Sequence, residues 1–257
     1  MLLVNKKNLT ILAGDIKESP SVDFIFNKNI IEFFDTFSNK ILSNQKAKNY
    51  PDLISLGFWI RKKNLELIKK KYLDEKLRIG VGLTFHITPS NVALNFAYSF
   101  ILSVLCGNSN IVRVSNVKFD QRTIFFEILK KIMNKKKFLS IKKNNIFISY
   151  NYEEDDSVTK QLCNICDCRV IWGSDKTTQK IKRYDTKPNC KDLIFSDKYS
   201  VSILNLESKI FKVKSKIFDY AQKFYVDSLM FDQNACTSPH LIFWYGKNKT
   251  KNYELFW

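Results

Sequence analysis

Apolar residues recur along this chain at two spacings, and the spacing switches from segment to segment. Over residues about 24–44 and 52–73 they fall three and four apart, the period of an amphipathic helix. Residues 77–88, L-R-I-G-V-G-L-T-F-H-I-T, form an apolar run that stops at Pro89 and predicts a strand. Residues 92–106 predict a buried helix. Strands are expected at 110–114, 145–150, 168–172 and 201–206. Helices are expected at about 119–134, about 156–166 and from 174 to about 183, and a helix-like segment at 218–231. A last apolar run covers 241–245. Strands and helices alternate, and the strands are apolar nearly throughout. That combination implies an α/β fold with a parallel sheet covered on both faces. Ligands bind such sheets at the carboxyl ends of the strands.

Three of those ends carry candidate chemistry. After the first strand comes T-P-S-N, where Ser90 or Asn91 can cap the following helix. The Asn91 amide can also point into the cleft as an oxyanion donor. After the second comes R-V-S, which puts Arg113 and Ser115 at a strand end. An arginine there suits a phosphate or a surface ion pair. After the third comes W-G-S-D-K, where Gly173 and Ser174 open a helix. Backbone N–H groups at a helix start favour a pyrophosphate, although such starts are common. Near the end lies F-D-Q-N-A-C-T-S-P-H, residues 231–240. Ala235 and the small hydroxyl residues after Cys236 leave room for a substrate carbon to reach sulfur, so Cys236 reads as a nucleophile or as a buried structural thiol.

Composition narrows the choices. A chain of 257 residues with 45% hydrophobic content makes one large domain, or one domain and part of another. The net charge of +17 raises nucleic acid as a partner. The lysines are dispersed, however, and their runs at 69–71, 135–137 and 142–143 fall in separate places. Without an arginine-rich arm, a zinc finger or a recognition-helix pattern, no nucleic-acid partner is expected. The run 92–106 is shorter than the roughly 20 residues needed to cross a bilayer, so no membrane span is expected. Cys163, Cys166 and Cys168 form C-x2-C-x-C, with Cys190 beyond them. Four-ligand zinc sites come as better separated pairs, so no metal is expected. The opening M-L-L-V-N-K-K is too short for a secretory signal, and a reducing cytoplasm is the expected location.

Taken in order, these segments resemble the aldehyde dehydrogenase superfamily, and within it the LuxC-like acyl-CoA reductases. The residues that carry the resemblance are T-F-H-I-T-P-S-N-V, L-C-G-N-S-N-I-V-R-V-S, I-W-G-S-D-K-T-T, F-S-D-K-Y-S and F-Y-V-D-S-L-M-F-D-Q-N-A-C-T-S-P-H. The resemblance runs from about residue 77 to 245 and is weak over the first 75. It implies an aldehyde-dehydrogenase-like α/β fold, with a parallel Rossmann-type cofactor domain and the start of a catalytic domain. The implied division is an N-terminal helical region at 1–75, an NAD(P)-binding domain at 76–228, and at 229–257 the beginning of the catalytic domain with its nucleophile.

The resemblance also implies roles. Cys236 looks like the acyl-accepting thiol and Asn91 like the oxyanion-hole asparagine. Arg113 and Ser115 look like adenosine-ribose or 2′-phosphate contacts, and Gly173 and Ser174 like neighbours of the cofactor pyrophosphate. Many aldehyde-oxidising members carry a glutamate that activates the hydrolytic water, and Ile194 falls in its place. The implied reaction is NADPH-dependent reduction of an acyl-CoA or acyl-protein thioester to an aldehyde. A homo-oligomer, or an acyl-transfer or ligase partner, is implied for a full-length form. Superfamily members continue well past the nucleophile, so partners for a strand at 241–245 are expected outside this chain. The chain alone is then expected to fold as a cofactor domain with little turnover, an inactive or partner-dependent remnant being the alternative to an active reductase.

Overall fold

The computed structural model describes residues 9–16, 20–74, 76–151, 154, 156–229, 233–247 and 254–257. The first of two compact units, residues 1–196, is built on a six-stranded sheet. In chain order its elements are β1 (Thr10–Ile16), α1 (Lys28–Leu42), α2 (Pro51–Trp59), α3 (Lys62–Tyr72), β2 (Leu83–Ile87), α4 (Asn95–Leu105), β3 (Ser109–Arg113), α5 (Asp120–Met133), α6 (Leu139–Lys143), β4 (Asn144–Ser149), α7 (Ser157–Ile165), β5 (Cys168–Trp172), α8 (Asp175–Lys182) and β6 (Lys191–Phe195). Across the sheet the order is β1-β4-β3-β2-β5-β6. β2 to β6 run parallel, and β1 lies antiparallel on β4. Among the parallel strands the order is third, second, first, fourth, fifth. It reverses between β2 and β5, so their carboxyl ends flank the crevice at which a doubly wound sheet takes its ligand.

Side-chain alternation sends each strand's residues to opposite layers. Phe85, Ile111, Ile146, Ile148 and Ile171 face α7 and α8, where Val158, Leu162 and Ile181 are buried. Val112 and Phe147 face the other layer, with Phe96 and Phe100 of α4 and Phe125 of α5. The N-terminal helices are part of that layer. Phe34 of α1 meets Phe100 edge-on, and Phe37 meets Phe125. Each of these fully buried rings contributes roughly 2–3 kcal/mol relative to exposure.

A buried polar chain crosses this apolar layer. Asn145 Nδ2 donates to Ile141 O (2.6 Å), so its Oδ1 is left to accept from Asn110 Nδ2 (2.7 Å). Asn110 Nδ2 also donates to Asn108 O, which turns its Oδ1 toward His86 Nε2 (2.9 Å). His86 therefore carries its proton on Nε2, and Nδ1 accepts from the Ser99 hydroxyl (2.8 Å). Ser99 Oγ in turn accepts from Trp172 Nε1 (3.3 Å). The chain ties β4, β3, β2, α4 and β5 together, and burial drops the His86 pKa to about 4.

Several sequence expectations shift. The helix expected over 52–73 is broken at Ile60 and Arg61: Asn64 Nδ2 takes Trp59 O (2.6 Å), and Asp35 Oδ1 takes Lys62 N (3.0 Å). Side chains thus satisfy the orphan groups of two shorter helices. The strand expected from 77 starts only at Leu83, because Gly82 has φ +133° and a Cβ there would strike Asp167. β1 and β6 carry no clear periodicity and were not expected. β1 bends through Gly14, at φ +79°, where a Cβ would meet Asn145 O. β6 is an edge strand exposed along its whole length, so nothing forces an alternating pattern on it.

Residues 197–257 form the second unit, with β7 (Ser200–Asn205), α9 (Lys214–Leu229) and β8 (Pro239–Tyr245). β7 and β8 pair in parallel as a separate two-stranded sheet. This corrects two expectations. The strand at 201–206 is not part of the main sheet, and the run 241–245 finds its partner within this chain. Leu204, Leu206, Phe211, Ile217 and Phe256 form this unit's core. Val201, Ile203, Leu241, Phe243 and Tyr245 remain exposed. The compact units divide after Ser196. Residues 230 and 231 of the expected helix, and the opening heptapeptide, lie outside the described residues.

Buried His86 sets a pH dependence. Its folded pKa lies below the ordinary 6.5, so the stability it contributes is full above pH 6.5 and is lost as pH falls toward about 4. Denaturant unfolding between pH 7 and 4 should show a loss on the order of 3 kcal/mol from this residue. His86→Gln should flatten that slope, and an unchanged slope would remove His86 as its source.

Candidate active site

The carboxyl ends of β2, β3 and β5 hold the unit 1 candidates. Asn91 lies exposed in the loop that follows β2. α4 begins at Asn95 with Leu94 in the capping position and no side-chain cap. The N-cap position of that helix thus falls on Leu94, not on Ser90 or Asn91 as expected. Arg113 ends β3 and is buried, at 7% exposure. Its Nη1 donates to Thr88 O (3.3 Å), and Thr88 Oγ1 donates back to Arg113 O (2.7 Å). Its Nη2 reaches Tyr150 O at 3.5 Å. Burial pushes the Tyr150 hydroxyl up to about 12. Ser115 is buried, and both its carbonyl and its hydroxyl accept from Arg122 Nη1 (2.8 and 3.3 Å).

Arg122 was not anticipated. It interrupts the apolar stripe of α5 at 6% exposure, and that interruption is the signal that could have exposed it. It donates to Val117 O as well (2.6 Å), so it holds the 115–117 loop from below. Its Nε has no hydrogen-bond partner among the described residues, and burial beside Arg113 lowers its pKa to about 10. Two buried guanidinium groups, Arg113 and Arg122, thus lie at one end of the sheet.

At the end of β5, Ser174 caps α8, its Oγ accepting from Thr177 N (3.3 Å). Gly173 and Ser174 sit half-buried before the helix, beside the reversal in strand order. Trp172 stacks on Phe195 with ring centres 3.9 Å apart and planes 8° from parallel. This aromatic pair was also not anticipated, because β6 was not. Ile194 lies on the exposed edge strand. A nucleotide cofactor would meet at this end of the sheet a helix start, two buried guanidinium groups, an unsatisfied Arg122 N–H and an exposed Phe195 ring. Among the described residues no cluster of His, Cys, Asp and Glu could hold a metal ion, and no helix is long and apolar enough to cross a membrane.

In unit 2, Cys236 occupies the turn between α9 and β8 and is exposed, which excludes a buried structural role. Its carbonyl accepts from Ser200 Oγ (2.7 Å), tying the turn to the start of β7. Ser238 N closes the turn onto Ala235 O (2.9 Å).

Residues 64–256 match the family model of the acyl-CoA reductases (LuxC). The chain belongs to this family. It is 23% identical over 167 residues to the long-chain acyl-protein thioester reductase of Aliivibrio fischeri, covering 65% of this chain and 33% of that protein. The chain thus spans about a third of that relative's length. Among solved structures, the salicylaldehyde dehydrogenase of Pseudomonas putida G7 matches with a TM-score of 0.59 at 12% identity, over 88% of this chain and 50% of that one. The betaine aldehyde dehydrogenase of Staphylococcus aureus, solved with NAD+, matches at 0.60 and 12% identity, over 88% and 47%. PnpE in complex with nicotinamide adenine dinucleotide matches at 0.63 and 13% identity, over 90% and 50%. The fold is that of the aldehyde dehydrogenases, as the sequence resemblance implied.

Ser174→Ala removes the only side-chain cap of α8. It should cost about 1 kcal/mol in urea unfolding. Ser174→Asp, which restores a cap acceptor, should recover most of that loss.

Proposed function

We propose that this chain carries the nucleophile and the cofactor end of a reductase that converts a fatty acyl thioester, on CoA or on a protein, to an aldehyde with NADPH. The observation that carries this reading is an exposed Cys236 in a turn fixed at both sides, inside the segment that matches the acyl-CoA reductase family.

The chemistry follows from the residue types. Cys236 Sγ, as thiolate, attacks the acyl carbonyl carbon, and the thiol of CoA or of the carrier protein leaves. The acyl group is then held on Cys236 as a thioester. The Asn91 side-chain amide donates to the carbonyl oxygen and gains strength as negative charge grows there. NADPH, when bound, would supply the hydride that takes the acyl carbon to the aldehyde level, and the bond from that carbon to Cys236 Sγ then breaks, which frees the aldehyde and returns the thiolate. The start of α8 at Gly173 and Ser174 would hold its pyrophosphate, and Arg113 with Ser115 would hold the adenosine ribose and its 2′-phosphate. Ile194 cannot deprotonate water. An acyl thioester spared hydrolysis persists long enough to be reduced. The A. fischeri relative is named for acyl-protein thioester reduction, which supports a thioester as the substrate class.

Labelled acyl-CoA, given to the protein in its full-length context, should leave a hydroxylamine-sensitive label on Cys236. Cys236→Ala should abolish it, and label persisting on Cys163 or Cys190 in that variant would overturn the assignment. In the same assay Asn91→Ala should slow acylation by about 10² to 10³. An unchanged acylation rate would sink the oxyanion role.

Arg113→Ala should weaken NADPH binding far more than NADH binding, because only the former has a 2′-phosphate to lose. The ratio of the two dissociation constants is the readout. It separates phosphate recognition from the loss of the Thr88 and Tyr150 contacts, which weakens both cofactors alike.

A further inference from the structure

We propose that Cys166 and Cys190 form a reversible disulfide that fastens the edge strand β6 to β5. The two thiols face each other with sulfurs 3.9 Å apart, although 24 residues separate them in the chain. Cys166 closes α7 and is fully buried. Cys190 is half-buried, immediately before β6. One backbone bond, Lys191 N to Asp167 O (3.1 Å), already joins the two segments beside the pair. None of the proposed catalytic chemistry uses either thiol.

Unequal exposure gives the two sulfurs different parts. Cys190, the reachable one, attacks a small-molecule disulfide such as oxidised glutathione. One glutathione thiolate leaves, and a mixed disulfide stands on Cys190. Cys166 needs no access to solvent, since its target is the adjacent sulfur. Its thiolate displaces the second glutathione and closes the bridge. Two protons and two electrons pass from the cysteine pair to the oxidised glutathione, which becomes two molecules of reduced glutathione, and an excess of that thiol reverses the reaction. Closing a loop of this length restricts the unfolded chain, and the strand so secured has no neighbour on its outer side among the described residues. The bridge lies at the amino ends of β5 and β6. Gly173, Ser174 and the Trp172–Phe195 pair lie at the carboxyl ends, so the bridge leaves them in place.

The test treats the full chain with oxidised glutathione, blocks free thiols, and maps the products by fragmentation mass spectrometry. A peptide linked through Cys166 and Cys190, with loss of two hydrogens, is expected. Cys163→Ser and Cys168→Ser should retain it. Cys190→Ser, at a half-exposed position that tolerates the change, should abolish it. The melting temperature should rise by several degrees on oxidation in the wild type and not in Cys190→Ser. Glutathione remaining on Cys190 without displacement, or a bridge from Cys190 to Cys163 or Cys168, would overturn the proposal.

Discussion

The hydrogen-bonded run from Asn145 through Asn110, His86 and Ser99 to Trp172 is the constraint on which the geometry of unit 1 rests. A parallel sheet buried on both faces is otherwise held in register only by backbone bonds and apolar packing. Apolar packing discriminates weakly between neighbouring registers of similar shape. Here a slip of β2 against β3, or of β3 against β4, would strand two or more amide or imidazole groups in an apolar layer. Each stranded group costs roughly 1–3 kcal/mol. The run thus fixes how far each strand extends at its carboxyl end, where Asn91, Arg113, Ser115 and Gly173 follow. It also orients the Trp172 indole directly, and through stacking it orients Phe195. An uncharged histidine suits this position: neutral imidazole has one donor and one acceptor, and the neighbours offer one of each.

The alternation of strands and helices was legible because a parallel sheet demands apolar runs, and this sheet's central strands obey that demand. What escaped the pattern is instructive. β6 is exposed along its length and β1 bends through Gly14, so neither had to display a period. The break between α2 and α3 depends on Asn64 and Asp35 reaching particular backbone groups, which no local pattern reveals. β7 and β8 were recognised as strands but assigned the wrong neighbours, since pairing is a long-range choice that apolarity does not encode.

The candidate site shows the same division. Cys236, Asn91, Gly173 and Ser174 stood out because small and polar residues interrupt apolar runs at element ends, where backbone polar groups become available. Arg113 was visible as a charge at a strand end, but its burial was not. Arg122 lay hidden inside a helix, where an arginine is ordinarily a solvated surface residue. Its role depends on tertiary contact with the 115–117 loop, seven residues or fewer away in sequence yet reached only through the fold.

The two units divide their apolar residues differently, and the difference bears on where rigidity lies. In unit 1 both faces of the central strands are covered, so strand ends can be held to fractions of an ångström by packing. Unit 2 is a single strand–helix–strand motif with one covered sheet face. Its core includes an aromatic cluster: Phe211, Phe224 and Trp244 gather around Phe256, edge-on or tilted. Two strands alone are marginal, so this cluster and α9 must hold the β8 register. The Cys236 turn is then anchored by what flanks it, Ser200 on β7 and Ser238 at the head of β8, more than by burial of its own. The nucleophile proposed at Cys236 would in this way keep its sulfur open to an acyl group while its backbone is fixed. That is the arrangement thioester exchange requires, because the thiolate must be reachable by a bulky substrate before it needs to be held in place.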